Sequence, residues 1–502
     1  MNIPLLVEMV GEAAPDRILL GNREDGWTAS QLLDAMQAGA GQLLDRQYER
    51  VAFLGLNSPA FPLTLLCAAR AGLPFAPLNY RLTDDQLTGI LGRVQPAGLV
   101  CDREMLPRTE GVEGLERVPT EDFAASMANG SDAQQQNLPL LEGEEVAVLL
   151  FTSGTTGQPK TAVLRHRHLA SYVLNTVEFL GAGEDEAQLV SVPAYHIAGV
   201  ASVLSSLFAG RRVVYLPAFD AKEWVDLARR EEVTQAMVVP TMLERIVKQI
   251  EADGSGLPTL RHLSYGGGRA PVQLVERVMR VLPNVDLVNA YGLTETSSTI
   301  AALTPQDHRD CISSDDSAIR RRLSSVGRPL PTIELEIRDA DGKPLAPGER
   351  GEIYVRGDQV AGEYATGSVL DPDGWFPTKD AGWVDEGGFL FLDGRLDDVI
   401  VRGAENLSPG EIEDVLGEHP AVAEAAVVGV PDPQWGEAVA AAVVFHPGST
   451  ATVDELKGWV RTRLRSTKTP EVILIREQMP YNETGKLLRR VIRDEIRQLP
   501  AS

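Results

Sequence analysis

The sequence is poor in cysteine and has no long hydrophobic run. Its 502 residues include three cysteines, Cys67, Cys101 and Cys311, whose odd number and wide spacing favour a reducing cytoplasm over a disulfide framework. None of the three has a metal-ligand spacing. The N-terminus lacks a basic leader, and no apolar run approaches the roughly 20 residues that a membrane helix needs. We therefore expect a cytoplasmic chain with no secretion signal and no integral membrane segment.

Basic residues are also in the minority. There are 47 Lys and Arg against 71 Asp and Glu, which gives a formal charge of −24. This charge argues against nucleic acid or an anionic membrane as the main partner. It leaves small anions open, since a locally arranged loop can bind one within an acidic protein. The hydrophobic fraction of 43% and the charged fraction of 24% are those of an ordinary soluble globular enzyme.

Helical and strand patterns alternate along the chain. Trp27-Thr-Ala-Ser-Gln-Leu-Leu predicts a capped helix, and Arg50-Val-Ala-Phe-Leu-Gly-Leu predicts a buried strand. Such alternation predicts an α/β architecture with largely parallel sheets. Residues 128–143 resemble a surface connection, and 333–355 a meander of hairpins. After Gly394 a smaller α+β unit is predicted, with helices at 411–416 and 453–464 and strands at 425–430 and 440–445.

A loop rich in serine, threonine and glycine follows the apolar run 146–150. It reads Phe151-Thr-Ser-Gly-Thr-Thr-Gly-Gln-Pro-Lys160. Two glycines, four hydroxyl side chains and one cation form a cradle of donors for a polyphosphate. It is not a Walker loop, because Gln158 and Pro159 separate Gly157 from Lys160 and the proline removes an amide donor. The loop therefore indicates nucleotide triphosphate chemistry.

Two further strings follow predicted buried strands. Ser264-Tyr-Gly-Gly-Gly268 comes after a strand end at Leu263, and its glycines permit close approach to a flat ring or a substrate. Asn289-Ala-Tyr-Gly-Leu-Thr-Glu-Thr296 follows the strand-like run 285–288, and we expect it to form a loop. Thr294 and Glu295 offer oxygen ligands for Mg²⁺ at a strand end, where open α/β sheets place ligands. Alone the second string could be a polar helix cap; the upstream loop favours a site.

These strings resemble the motifs of the adenylate-forming superfamily: acyl-CoA synthetases, adenylation domains of peptide synthetases, and luciferases. The resemblance covers nearly the whole chain, in the family order. It implies ATP, Mg²⁺ and CoA as cofactors and co-substrate. Thr294 would meet the α-phosphate, and Glu295 would hold the metal, both with a catalytic role. The implied nucleotide-binding residues are Thr152, Ser153, Gly154, Thr155, Thr156, Gly157, Lys160, Gly267, Gly268, Asn289, Ala290, Tyr291 and Gly292.

Pro193-Ala-Tyr-His196-Ile-Ala-Gly resembles the aromatic-gate motif of that family, with His196 at the gate. Members that activate amino acids usually carry Phe-Asp here, and the carboxylate pairs with the substrate ammonium. Only small or apolar residues follow His196, so the resemblance implies an acid with an uncharged tail: fatty, alicyclic or aryl. The implied pocket residues are Tyr195, His196, Val200, Thr241 and Gly266.

The segment from Trp375 to Asp397 resembles the ribose-binding and hinge motifs. By that resemblance Asp380 would accept the ribose hydroxyls, Arg395 would contact phosphate or ribose, and Asp397 would be the hinge pivot. The family usually has glycine where this chain has Lys379, so the backbone there is less permissive.

Two C-terminal strings complete the resemblance. Pro480-Tyr-Asn-Glu-Thr-Gly-Lys486-Leu-Leu-Arg matches the terminal lysine motif, and Lys486 would stabilise charge as a carboxylate attacks the α-phosphate. The segment 401–413, with Gly403, would line a thiol tunnel. Ala404 and Thr161 replace glycines common in the family, and 362–374 is shorter than usual.

The predicted fold is α/β, a large N-terminal domain of stacked α/β subdomains at 1–394, a hinge at 395–398 and a small α+β lid at 399–502. The predicted reaction joins a small-molecule carboxylic acid to AMP with release of pyrophosphate, and then transfers the acyl group to CoA. Alternatives are delivery to an acyl carrier protein or partner enzyme, a non-catalytic acyl- or nucleotide-binding homologue, and a luciferase-type oxygenase. The chain is expected to be a monomer or a homodimer.

Overall fold

The computed structural model describes residues 1–128, 138–152, 159–403, 405–481 and 487–499. The α-helices in these ranges are α1 (Ile3–Ala13), α2 (Ala29–Asp45), α3 (Ala60–Arg70), α4 (Asp84–Val94), α5 (Thr120–Ala128), α6 (His166–Thr176), α7 (Ile197–Phe208), α8 (Ala221–Arg230), α9 (Pro240–Asp253), α10 (Val272–Val281), α11 (Pro305–Ser313), α12 (Ser317–Arg321), α13 (Pro409–Gly417), α14 (Val453–Arg461) and α15 (Arg489–Arg497). Short 3₁₀ helices lie at Arg103–Thr109, Thr294–Thr296, Arg322–Ser324, Leu396–Asp398 and Ser466–Lys468.

The strands are β1 (Ile18–Leu20), β2 (Trp27–Thr28), β3 (Val51–Leu54), β4 (Phe75–Pro77), β5 (Ala97–Cys101), β6 (Leu115–Pro119), β7 (Val146–Thr152), β8 (Lys160–Arg165), β9 (Ala187–Val190), β10 (Arg212–Tyr215), β11 (Gln235–Val238), β12 (His262–Gly266), β13 (Asp286–Leu293), β14 (Ser298–Leu303), β15 (Arg328–Pro329), β16 (Glu334–Arg338), β17 (Gly351–Arg356), β18 (Glu363–Tyr364), β19 (Gly367–Ser368), β20 (Phe376–Val384), β21 (Leu390–Arg395), β22 (Ile400–Arg402), β23 (Glu405–Leu407), β24 (Val422–Asp432), β25 (Gly436–Phe445) and β26 (Val472–Arg476).

Two large sheets contain β1 to β15 together with β18 and β19. One has the order β19-β18-β8-β7-β4-β3-β5-β6 and is parallel from β7 to β6. The other has the order β15-β14-β13-β12-β11-β9-β10-β1-β2 and is parallel from β13 to β1. Phe53 and Phe75 from the first sheet share a hydrophobic core with Val190 and Val213 from the second. This stacking of two α/β layers agrees with the predicted fold class.

Two smaller sheets follow. Strands β16, β17, β20 and β21 form an antiparallel sheet, as the hairpin pattern of 333–355 predicts. The last sheet contains β22 to β26 and packs against α13 and α14 on one face and α15 on the other. Its hydrophobic clusters contain only residues from Ile400 onward, so this C-terminal unit has a core of its own. None of the helices in the described ranges has the length and apolarity needed to cross a membrane.

Local sequence signals account for several element ends. Thr28 caps α2, because its hydroxyl accepts from the Gln31 amide at 3.2 Å while the Gln31 side chain accepts from the Thr28 amide at 2.9 Å.

The expectation that 289–296 forms a loop is wrong in its first part. Strand β13 continues to Leu293, because β14 folds back and pairs with it from Asn289 onward. A partner strand distant in sequence sets this end, and local propensity does not reveal it.

Candidate active site

The predicted phosphate loop joins two antiparallel strands. Thr152 at the end of β7 pairs with Lys160 at the start of β8, and the Thr152 hydroxyl donates to the Lys160 carbonyl oxygen at 3.5 Å. Both residues therefore stand at the base of the loop. The loop residues Ser153, Gly154, Thr155, Thr156 and Gly157 lie outside the described residues.

Arg93 of α4 holds the base of this loop. Its Nη1 donates to the Pro159 carbonyl oxygen at 2.7 Å, and its Nη2 donates to the Thr161 hydroxyl. The guanidinium also lies 5.3 Å from the centre of the Phe151 ring. Thr161, which replaces a family glycine, thus supplies a hydroxyl that Arg93 uses. Sequence reasoning missed Arg93, because it lies far from the loop in the chain.

Glu295 is buried and hydrogen-bonded to a tyrosine from a different segment. The Tyr364 hydroxyl donates to Glu295 Oε1 at 2.5 Å, and the Lys160 ammonium lies 5.3 Å from the centre of the Tyr364 ring. Burial and the Glu295 carboxylate raise the pKa of Tyr364 above its ordinary value, so the phenol remains a donor. Tyr364 therefore joins the predicted metal ligand to the base of the phosphate loop. It lies in the short 362–374 segment and was not predicted.

The donor set around Glu295 fits Mg²⁺. Oε2 of Glu295 and the half-buried Thr294, which opens the 3₁₀ helix, are hard oxygen donors of the kind this ion prefers. The next two turn residues, Ser297 and Ser298, have φ values of 55° and 113°. Such conformations are costly for residues other than glycine, and they cluster at functional sites.

Two glycines allow the backbones of β12, β13 and β14 to approach closely. A Cβ at Gly266 would lie 2.2 Å from the Ala290 carbonyl oxygen, and one at Gly292 would lie 1.8 Å from that of Ser298. Neither contact is sterically possible, so glycine is required at both positions. Gly267 has φ of +76°, and a Cβ at Gly268 would meet no atom closer than 3.9 Å. The glycine-rich turn therefore presents open backbone, as predicted. The Asn289 side-chain amide donates to the Ser325 carbonyl oxygen at 3.0 Å.

Two predicted nucleotide residues, Tyr291 and Arg395, meet at the carboxylate of a third, Asp380. Tyr291 donates its hydroxyl to Asp380 Oδ2 at 2.6 Å, and Arg395 Nε lies 3.2 Å from Asp380 Oδ1. Arg395 also donates to the Thr378 carbonyl oxygen at 2.9 Å. Burial and the Asp380 charge raise the pKa of Tyr291 well above its ordinary value. The carboxylate is thus fixed in orientation, and its two oxygens have further lone pairs for ligand hydroxyls.

Lys379, beside Asp380, has a left-handed backbone with φ of 62°. The glycine that the family usually has here would adopt this conformation without strain. The Lys379 amide donates to Glu352 Oε1 at 3.2 Å, and its ammonium lies 3.4 Å from the same oxygen. These contacts hold the turn despite the substitution.

His196 lies at the N-terminus of α7 in an aromatic environment. Its ring centre is 4.6 Å from that of Tyr195, which in turn packs edge-on against Tyr80 at 5.7 Å. Burial, with a smaller contribution from Arg81, lowers the pKa of His196 to about 4. The imidazole is therefore neutral near pH 7. Its Nε2 atom is buried and has no hydrogen-bond partner among the residues described.

A cavity of about 220 Å³ adjoins this gate motif. Thr241, which the resemblance assigns to the acid pocket, lines it together with Pro193 of the gate motif and Tyr481 of the C-terminal unit. The other lining residues are Asn57, Tyr80, Arg81, Ser191, Pro217, Ala218, Phe219, Val239, Met242 and Arg245. Val200 is fully buried in the large core instead. Tyr195, His196 and Gly266 are also not among the described residues that line this cavity.

The predicted residues after β21 lie at or beyond the junction with the C-terminal unit. Asp397 is exposed in the 3₁₀ helix Leu396–Asp398. Gly403 has φ of +65°, and its amide donates to the Trp435 carbonyl oxygen at 2.7 Å. Ala404 and Lys486 lie outside the described residues. Tyr481 and Leu487, on either side of the Lys486 segment, form an antiparallel bridge.

The chain is similar to known proteins over most of its length. The chain is 34% identical over 456 residues to a feruloyl-CoA synthase of Amycolatopsis sp., which covers 89% of each chain. It is 35% identical over 467 residues to the fatty acid–[acyl-carrier-protein] ligase ScoC of Streptomyces coeruleorubidus, with coverage of 89% and 87%.

Solved structures show the same likeness. The o-succinylbenzoate CoA synthetase MenE of Bacillus subtilis in complex with its acyl-adenylate intermediate is 27% identical, has a TM-score of 0.83, and matches over 99% of this chain and 98% of that one. The same protein with ATP and magnesium ion has a TM-score of 0.81 at 27% identity, with coverage of 97% and 98%. The AMP-binding enzyme family matches residues 7–365, and its C-terminal domain matches residues 411–486. The chain belongs to the AMP-binding enzyme family of adenylate-forming ligases.

Proposed function

We propose that this enzyme activates a fatty, alicyclic or aryl carboxylic acid as acyl-AMP, releases pyrophosphate, and transfers the acyl group to CoA. It is an AMP-forming acid–thiol ligase. The observation that carries the proposal is the meeting of Tyr291, Asp380 and Arg395, because a fixed carboxylate flanked by a phenol and a cation suits a nucleotide ribose. Glu295 with Tyr364, beside Lys160, supplies a second polar group suited to the phosphates.

In the first half-reaction the chain binds and orients the two anions. Asp380 accepts the ribose hydroxyls, Thr294 donates to the α-phosphate, and Thr152 and Lys160 hold the phosphate loop at its base. Glu295 would hold Mg²⁺, and the bound ion would offset phosphate charge. Lys486 stabilises the charge that develops as the carboxylate oxygen attacks phosphorus and pyrophosphate leaves. Neutral His196 closes the site beside the acyl group without adding charge.

In the second half-reaction the C-terminal unit rotates. We assign residues 1–394 to the large domain, 395–398 to the hinge and 399–502 to the lid. Rotation about the exposed Asp397 removes Lys486 and brings Gly403 towards the site, so that one site serves two reactions. The thiolate sulfur then attacks the acyl carbon, and AMP leaves.

The cavity beside the gate suits the thiol co-substrate. Arg245 packs its guanidinium over the Phe219 ring at 4.9 Å, and Arg81 lines the same wall. Two cations at a cavity of an otherwise acidic protein favour an anionic ligand such as the phosphate-bearing arm of CoA. Thr241 and Pro193 lie where this arm would approach the gate.

Pyrophosphate release tests the first half of the proposal. It is measured with Mg·ATP across fatty, alicyclic and aryl acids, with and without CoA, while acyl-CoA is followed by mass. We expect acid-dependent release and a thioester with the same acids. Absence of acid-dependent pyrophosphate release would refute adenylation.

The variant Lys486→Ala tests the role of the lysine. It should abolish pyrophosphate release, while thioester formation from supplied acyl-AMP continues. Equal loss of both half-reactions would contradict the role of Lys486.

A carrier protein is the second candidate acceptor, because a relative of 35% identity is named as an acyl-carrier-protein ligase. Replacing CoA with a phosphopantetheinylated carrier protein in the same assay separates the two. Acyl transfer to the carrier protein without acyl-CoA formation would replace CoA as the acceptor in this proposal.

A further inference from the structure

Arg269 directly follows the glycine-rich turn of the nucleotide site and reaches across to the C-terminal unit. Its Nη2 donates to Asp414 Oδ2 in α13. The two side chains are 37% and 39% exposed, so this ion pair lies at the rim of the contact between the large domain and the lid. A pair in such a position changes an equilibrium by up to about fivefold.

Gly410 provides the space for this contact. A Cβ at Gly410 would lie only 1.7 Å from Arg269 Nη1, so any side chain there would displace the guanidinium. Gly410 is in the first turn of α13, where alanine is the better helix former. Helix formation therefore does not explain the glycine, whereas the seating of Arg269 does.

The same helix holds one end of the Lys486 segment. Glu413, next to Asp414, accepts from Arg489 Nη2 at 3.0 Å, and Arg489 begins α15 three residues after Lys486. At the other end, the Tyr481 hydroxyl donates to Glu424 Oε2 at 2.7 Å. Both ends of the Lys486 segment are therefore held by the C-terminal unit, at α13 and at β24, so the docking of that unit against the large domain sets where they stand.

Other charged residues of the described ranges also lie between α13 and the large domain, but they do not pair with Asp414 as Arg269 does. Glu411 of α13 is 3.7 Å from Arg350 of the large domain, but it lies closer, at 2.7 Å, to Lys468 of its own unit. Burial raises the pKa of Asp414 to about 6, and the like charges of Glu413, Glu418 and Glu411 contribute to this rise. Arg269 opposes this rise, because its guanidinium pairs with the Asp414 carboxylate.

We propose that Arg269 is a positioning residue for adenylation: its contact with Asp414, made possible by Gly410, docks the lid in the orientation that presents Lys486 to the acyl and α-phosphate groups. The proposal rests on the function proposed above. Thioester formation uses a different lid orientation and does not depend on this contact.

The test measures both half-reactions in Arg269→Ala, in Gly410→Ala and in the double variant. Acid-dependent pyrophosphate release should fall about three- to fivefold in each single variant and no further in the double variant, because both changes remove one contact. Thioester formation from supplied acyl-AMP should stay at the wild-type rate or rise. The unfolding temperature of Gly410→Ala should not fall, which separates positioning from folding.

Arg277→Ala is the matched control. Arg277 pairs with Glu251 of the same large domain, and the two side chains are 32% and 40% exposed. Both half-reactions should keep their wild-type rates. Three results would each overturn the proposal. The first is an adenylation rate within 1.5-fold of wild type in the Arg269 and Gly410 variants. The others are additive losses of adenylation rate in the double variant, or equal losses of rate in both half-reactions.

Lid docking can also be measured without catalysis. Trypsin should cut after Arg395, the first residue of the proposed hinge, faster in Arg269→Ala and Gly410→Ala than in Arg277→Ala, with no substrate present. Equal cutting rates would overturn the docking role. A wild-type enzyme that adenylates none of the acids would instead refute the proposed function, while the cutting rates would still decide the docking role.

Discussion

The nucleotide side and the cavity side of the active site are built differently. On the nucleotide side, Tyr291, Asp380 and Arg395 come from three recognisable motifs and bind one another. On the cavity side, Arg245 and Phe219 come from stretches without a motif, and Arg245 packs against an aromatic ring with no ion pair among the described residues. A fixed polar network suits a co-substrate common to the whole family. A wall assembled between the motifs can change with the acid and the acceptor.

Asp380→Asn should produce the largest effect on the nucleotide side. The amide keeps the size of the carboxylate and can accept from Tyr291, but it loses the charge that pairs with Arg395 and that binds two hydroxyls. We expect the KM for ATP to rise about 100-fold, about 2.7 kcal/mol, with the KM for the acid nearly unchanged. Glu334→Gln, which breaks the pair with Arg356 in the same sheet, is the control. A comparable rise in the KM for the acid would remove the distinction between the two sides.

Acid should destabilise the protein through His196. Burial lowers its pKa to about 4 in the folded state from the ordinary 6.5, so the unfolded chain binds more protons between these values. The contribution of His196 to the free energy of unfolding is complete above pH 6.5 and is lost as the pH falls towards 4, by about 3 kcal/mol.

The measurement is the free energy of unfolding against pH in the wild type and in His196→Gln. The variant should show a shallower decline between pH 6.5 and 4, whereas His446→Gln, at an exposed position, should not. Parallel curves for wild type and His196→Gln would show that the gate imidazole is not held neutral. His166 and His168, whose pKa values burial also lowers to about 4, add to the slope in both proteins.

Arg245→Ala should affect the cavity side alone. Removing this cation should raise the KM for CoA about fivefold, and the effect should shrink at high salt because the charge is exposed. Pyrophosphate release without CoA should not change. Lys248→Ala, on the same helix and paired with Glu244, is the control. A slower adenylation step in Arg245→Ala would place this residue on the nucleotide side.

Lys379→Gly should give the smallest effect. Glycine relieves the left-handed strain of about 1 kcal/mol, but it adds entropy to the unfolded chain and loses the contact with Glu352. We expect a gain of about 0.5 kcal/mol in the free energy of unfolding and an unchanged KM for ATP, measured by denaturant titration and initial rates. A raised KM for ATP would show that Lys379 also orients Asp380.

Motifs with a fixed spacing were sufficient to predict the family, the class of reaction and the fold class, and the comparisons confirm all three. The roles of individual site residues and the hinge position stay predictions. Tyr364 and Arg93 could not be found, because each reaches its partner across a large sequence separation and neither stands in a string of unusual composition. The end of β13 was placed too early for the same reason, since β14 determines it.

The sequence by itself determined the order of the chemistry-bearing strings, the buried strands before them and the glycines that close backbone approach requires, because these depend on residue type and short spacing. Only the tertiary structure decided which side chains meet. Asp380 is oriented by Tyr291 and Glu295 by Tyr364, and Arg269 of the large domain pairs with Asp414 of the C-terminal unit. Each pair joins segments separated by tens to more than a hundred residues, and the packing of sheets and helices, which no local pattern encodes, brings them together.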